Sequence, residues 1–171
     1  MKRLSIKEQI LNLVFLLLLQ LPLIHKVKLF DQAFAFFYVG FLLFLPTGLS
    51  RTYLMIVGFA SGLLVDVFTN TPGMHALSCV LIMFLRNFWI TIIKDDWREI
   101  GNINFSTLNA LAFFTFLLPM VILHHGFLFF IENGGFHLFW NVIKKVIFSS
   151  FLTTIILFSY SYLISSRRGT S

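Results

Sequence analysis

Charge is scarce in this chain. Asp, Glu, Lys and Arg make up 12% of its 171 residues, about half the share of an ordinary soluble domain. With 58% hydrophobic residues and a mean hydropathy of +0.89, that scarcity excludes a water-soluble globular class. It points to a polytopic membrane protein with little chain left for a soluble domain. Cysteine is nearly absent. Cys79 stands alone in an apolar run, which rules out an internal disulfide and a thiolate metal cluster; it reads as a buried small side chain. There is no phosphate-binding glycine loop, no nucleophile elbow and no zinc helix of the His-Glu type. Internal repeats and low-complexity linkers are missing too, so residues 1–171 read as a single integral membrane domain.

What the chain has in excess is phenylalanine, 23 residues of it, suited to lipid-facing and packing positions rather than to a cofactor. The formal charge is +6. The basic residues stand at the ends of apolar runs, where they set orientation. They do not interleave with aromatic side chains on a soluble face, so nucleic acid is not an expected partner. The start, MKRLSIKEQI followed by LNLVFLLLLQLPLI, has the basic end and apolar core of a signal peptide. No small-x-small cleavage site follows, and it reads as a retained first span.

Six apolar segments can be drawn, roughly 8–25, 33–49, 52–70, 74–93, 105–130 and 137–164. Each is near the ~20 residues that a span needs, the second being short and the fifth long. The expected fold is therefore an all-α membrane protein, a compact bundle of about six transmembrane helices. With the N-terminus inside, Lys2, Arg3, Lys7, Arg51, Arg86, Lys94, Arg98, Arg167 and Arg168 fall on inner ends. Lys26, Lys28, Lys144 and Lys145 fall on outer ends. Nine against four favours both termini in the cytoplasm. Lys144 and Lys145 fit this least well, and they mark FHLFWNVIKK as a candidate interfacial helix before the last span.

The third segment carries an ordered stripe. Gly58, Gly62, Asp66 and Asn70 recur every four residues and so lie along one helix face. The Gly58-x-x-x-Gly62 half admits another backbone closely. The polar half needs hydrogen-bond partners, because an ionisable group in hydrocarbon costs on the order of 3 kcal/mol. A tight turn at Thr71-Pro72-Gly73 follows. The fourth segment answers with His75, Ser78, Cys79, Ile82 and Arg86 at spacings of three and four. Asp66 and His75 both sit about 6–8 Å below the turn apex, so they are level and predicted to hydrogen-bond or pair. Arg86 lies about 21 Å from the apex and cannot reach Asp66. It is expected at the inner interface or against a partner. For Asp66 with His75 two readings stand: a cap that locks a helical hairpin, or a site for a partner or ligand.

Other polar groups form weaker patterns. Asn12 and Gln20 share a face of the first segment. Asn102, Asn104, Ser106, Thr107 and Asn109 open the fifth. Ser149, Ser150, Thr153 and Thr154 mark the sixth. Such groups bond across helices or back to their own carbonyls. Pro46 and Pro119 are expected to end or kink spans two and five. His124, His125, Glu132 and His137 fall in and around a predicted outer loop, without metal-ligand spacing, and read as an interfacial polar cluster.

The run GLLVDVFTNTPGMHALSCVLIMFLRNF closely resembles the central hairpin of MreD, the rod shape-determining membrane proteins of bacteria, and looks most like versions from Bacteroidota. The layout of six apolar spans with short loops is similar along the whole chain. Asn87 departs from the pattern, standing after Arg86 where a proline is expected. The resemblance implies a non-enzymatic scaffold and regulator of the cell-elongation complex in the bacterial cytoplasmic membrane. Such a protein binds MreC, and through it MreB, RodA and a class B penicillin-binding protein. It also implies a fold similar to the substrate-binding subunit of energy-coupling-factor transporters, with no cofactor and no catalytic residue. In this reading Gly58, Gly62, Asp66, Asn70, Pro72, Gly73, His75 and Arg86 are structural or partner-binding. The competing reading is a ligand-binding subunit of a vitamin-type transporter, with the polar hairpin lining a cavity. An intramembrane enzyme or proton-coupled carrier using Asp66 and His75 ranks below both, since no nucleophile or second carboxylate lies at matching depth.

Overall fold

The structure, a computed structural model, describes residues 28–29, 33–93, 110–135 and 138–168, together with Leu11 and Phe15. Apart from Leu11 and Phe15, the predicted span 8–25 lies outside those residues, as do the polar group from Asn102 to Asn109 and His137. Among the described elements that follow Leu11 and Phe15, β1, Lys28–Leu29, runs antiparallel to β2, Ala33–Phe34, with Lys28 opposite Phe34. Five helices follow: α1 Phe37–Leu43, α2 Arg51–Thr69, α3 Met74–Ile93, α4 Ala110–Glu132 and α5 Phe139–Arg168. Four of them are long and apolar enough to cross a membrane: α2, α3, α4 and the stretch of α5 from Phe139 to Tyr162.

The second apolar segment is not a span. Its helix α1 has seven residues, about 10 Å at 1.5 Å per residue, a third of the hydrocarbon thickness. Every one of the seven is buried. A helix that is apolar all round belongs inside a bundle rather than against lipid, and here the other helices enclose it. Phe44 and Leu45 leave the helix just ahead of Pro46, which disfavours helical backbone in the residue before it. Gly40 is the close-approach point: a Cβ there would run into the Leu157 side chain of α5.

The hairpin of α2 and α3 has sharply defined ends. The Ser50 hydroxyl caps α2 by accepting the Tyr53 amide at 3.3 Å. At the other end Asn70 takes the left-handed conformation, φ 55°, and its amide donates to the Asp66 carbonyl. Asn is one of the few residues that adopts this state at a helix end at low cost. Gly73, φ +82°, completes the reversal. Asn70 is thus the stop of α2, exposed on the turn, and not a fourth rung of the buried stripe. Gly58, Gly62 and Asp66 are buried on the face toward α3.

The last two helices depart from expectation in two places. α4 continues through Pro119, and the Trp89 indole donates to the Phe116 carbonyl at 3.2 Å one turn earlier. α5 is continuous from Phe139 through Lys144 and Lys145. The two lysines therefore belong to the first turns of the last span, not to a separate interfacial helix. Lys145 forms an ion pair with Glu132 at 3.5 Å, tying the start of α5 to the end of α4. α3 likewise runs past Asn87 to Ile93, with the Asn87 amide group donating to the Leu49 carbonyl at 3.3 Å.

Gly58 and Gly62 set the spacing of α2 against α3. A Cβ on Gly62 would lie 2.5 Å from the Ala76 Cα and the His75 carbonyl oxygen, both backbone. On Gly58 its first obstacle would be the flexible Met83 side chain at 2.8 Å. Overpacking costs about 1–3 kcal/mol, more when backbone must move. Gly62→Ala is expected to lower the melting temperature of the detergent-solubilised protein more than Gly58→Ala does, and Gly62→Leu to abolish folded yield. A wild-type melting curve for Gly62→Leu would contradict this packing.

Candidate functional site

Asp66 sits one turn before the end of α2, and its carboxylate reaches across the turn to the start of α3. Oδ1 accepts the His75 amide at 3.0 Å and the Thr71 hydroxyl at 2.9 Å. Oδ2 accepts the Ala76 amide at 3.0 Å. The Met74 amide donates to the Thr71 carbonyl, and the first intrahelical bond runs from Leu77 to Gly73. The amides that α3 cannot satisfy internally are therefore all paired, two of them by one carboxylate. The negative charge also meets the positive end of the α3 dipole. The expected level of Asp66 with His75 is present, but the bond goes to the backbone amide of His75 and not to its imidazole.

The imidazole faces the other way. His75 Nδ1 lies 2.8 Å from the Tyr38 hydroxyl, which lies 2.9 Å from His124 Nε2. Tyr38 comes from α1, His75 from α3 and His124 from α4, so one phenol joins three helices. Proton accounting orders the chain. His124 Nδ1 is buried without a partner. A bare lone pair is cheaper to bury than a bare N–H. With both imidazoles neutral, we assign the His124 proton to Nε2, donating to Tyr38. Tyr38 then donates to His75 Nδ1, and His75 carries its proton on Nε2.

A second chain runs alongside. His125 Nδ1 donates to the Val121 carbonyl at 2.6 Å, leaving Nε2 to accept from the Thr153 hydroxyl at 3.4 Å. Thr153 accepts the Phe36 amide at 3.2 Å, and Ser149 accepts the Phe34 amide at 2.9 Å. The Phe36 ring covers the cluster, its centroid 5.0 Å from His125, 5.5 Å from His75 and 6.2 Å from His124. Both adjacent histidines are fully buried in α4. They are neither in an outer loop nor at an interface, as their position in the sequence had suggested. Ser149 and Thr153 serve the backbone of the segment entering α1, a cross-chain role. The Ser150 and Thr154 hydroxyls are buried without a partner.

Arg86 occupies the opposite end of α1. It is fully buried and reaches neither the interface nor an exposed partner surface, contrary to expectation. Nε donates to the Leu43 carbonyl at 3.0 Å, Nη2 to the Leu45 carbonyl, and Nη1 to the Pro46 carbonyl at 3.5 Å and to Asn87 Oδ1 at 3.4 Å. The guanidinium collects the carbonyls left over where α1 ends, and places a cation at the negative end of that helix.

The predicted residues thus fall into three groups. Gly62 and Asp66 meet His75 and Ala76 at the hairpin, and Gly58 one turn earlier on α2 packs against Cys79 and Met83. Asn70, Pro72 and Gly73 form the turn above it. Arg86 stands apart at the far end of α1. Sequence reasoning missed Tyr38, the one polar residue between Phe34 and Leu45. A phenol in a buried run needs a partner, which was the available signal. Among the described residues no three His, Cys, Asp or Glu side chains converge in ligating geometry. Comparison with protein-family models, curated proteins and solved structures finds no match to the chain.

Removing the Asp66 carboxylate strands two buried amides at about 1–3 kcal/mol each. Asp66→Ala is expected to destabilise the protein by about 3–5 kcal/mol on that scale, and Asp66→Asn, which keeps one acceptor oxygen, by about half as much. Tyr38→Phe should cost about 1–2 kcal/mol. Thermal melting in detergent checks the order Asp66→Ala, Asp66→Asn, wild type. Equal melting for all three would show that the carboxylate is not the cap.

Proposed function

We propose that this chain is a non-enzymatic membrane scaffold of the MreD type, which supports side-wall peptidoglycan synthesis and cell shape by binding MreC. The observation that carries the reading is how the residues of the family-like hairpin are used. Asp66 caps α3 and Arg86 closes α1, while Gly62 brings two backbones together. The motif that resembles the family fixes the shape of the bundle, which is what a docking platform needs. Asp66 and Arg86 are bonded chiefly to backbone and the His75 imidazole to Tyr38, an arrangement that serves the fold. The same use of the polar groups weighs against the vitamin-transporter reading, in which Asp66 and His75 would line an open cavity.

In this proposal the protein resides in the bacterial cytoplasmic membrane with its C-terminus cytoplasmic, which through α5, α4 and α3 puts the Asn70–Gly73 turn on the outer side. The expected cytoplasmic N-terminus rested on an even number of spans, which the buried second segment removes. Affinity purification from membranes in mild detergent is expected to recover MreC in stoichiometric amount, and depletion of the chain to round the cells. Recovery of a bound vitamin, or of an energy-coupling subunit in place of MreC, would replace this reading with the transporter one.

A further inference from the structure

An open groove of about 230 Å³ lies between the end of α4 and the start of α5, lined by Gly126 and Phe130 on one side and by Phe139, Val142, Ile143 and Ile147 on the other. Its floor is a glycine: a Cβ on Gly126 would meet no atom within 4 Å. This differs from Gly58 and Gly62, where the missing side chain is replaced by a neighbouring helix. The lining offers no hydrogen-bonding side chain, so an alkyl chain gains contact there without leaving a polar group unmet. The lining is apolar throughout, which leaves specificity to the rim.

The rim is cationic and aromatic. Trp140 and Lys144 are both exposed. They are four residues apart and share the helix face that borders Ile143 and Ile147. On α5 side chains tilt toward the helix start, so Lys144 rises toward the membrane surface. The level it reaches is marked by its neighbour, since the Lys145 ammonium meets Glu132 at the very end of α4. Among the described residues Lys145 is paired there with Glu132, and Lys144 has no acidic partner. A tryptophan and a lysine at the mouth of an apolar groove form the headgroup-level pairing of membrane interfaces.

We propose that this groove binds an anionic phospholipid of the leaflet on the side of the Asn70–Gly73 turn, with an acyl chain over Gly126 and the phosphate beside Lys144. The occupant follows from the apolar lining and the uncompensated charge at the rim. A zwitterionic lipid fills the groove equally well but gains less from Lys144, because its own ammonium offsets its phosphate.

The test is native mass spectrometry of the purified full chain titrated with phosphatidylglycerol or phosphatidylcholine of matched acyl chains. Wild type is expected to hold one phosphatidylglycerol with about fivefold preference, the factor contributed by one lysine near an anionic surface. Lys144→Gln should abolish the preference while phosphatidylcholine binding stays unchanged. Gly126→Leu, whose side chain enters the groove, should reduce retention of both lipids with an unchanged melting temperature. Equal retention of the two lipids by wild type would overturn the proposal, as would binding that neither variant alters. A change of oligomeric state in Gly126→Leu without loss of lipid would assign the groove to a protein contact instead. Should Gly126→Leu fail to fold, the wild-type preference and the Lys144→Gln result decide the question by themselves.

Discussion

A helix that begins or ends inside an apolar bundle leaves amides or carbonyls that no water can reach, and this chain answers that constraint with Asp66 and Arg86, the two buried charges among the described residues. α3 begins under a tight turn with Asp66 on its first amides. α1 ends within the bundle with Arg86 on its last carbonyls. In each case the charge matches the helix pole it meets: carboxylate at the positive end, guanidinium at the negative one. The two charges do not pair with each other. An unmatched backbone group in hydrocarbon costs several kcal/mol, and each ionised side chain removes more than one such group. This explains why charges stand at these depths in a chain that otherwise avoids them.

The rest of the bundle follows from those fixed points. α1 is held at its start by Tyr38, bonded to His75 and His124, and at its end by Arg86. Between these contacts Gly40 lets Leu157 of α5 approach closely. The entering strand is fastened to α5 through the Phe34 and Phe36 amides. A seven-residue helix has too few internal bonds to persist alone, and its contacts with α3, α4 and α5 supply what it lacks. Gly62 then fixes how near α2 approaches the first turn of α3, which keeps Asp66 within reach of the amides it caps.

The long helices were legible in the sequence because composition and length suffice for them. The third and fourth segments match α2 and α3 almost residue for residue. The glycine stripe, the tight turn and the equal depth of Asp66 and His75 were legible as well, since four-residue spacing and helix rise are local properties. The second segment was not, because hydropathy does not distinguish a helix buried in protein from one facing lipid, and Tyr38 was the single polar sign in that run. The partners of Asp66 and Arg86 were missed for a common reason. Side chains were matched with side chains, whereas each charge serves backbone groups, which leave no mark in a residue pattern. His124 and His125 lie inside the fifth predicted segment, and their burial comes from α1 and α5 packing on α4, a tertiary contact that no local spacing records.

The central claim, that the Asp66 carboxylate closes the start of α3, is tested most directly by residue-resolved amide exchange in detergent on wild type and Asp66→Ala. The account predicts that exchange at His75 and Ala76 accelerates about 30-fold or more, the loss of a charge-assisted bond of roughly 2 kcal/mol. Amides near Ile90, at the far end of the same helix, should keep their wild-type protection. Unchanged exchange at His75 and Ala76 would contradict the account, as would a uniform acceleration along all of α3.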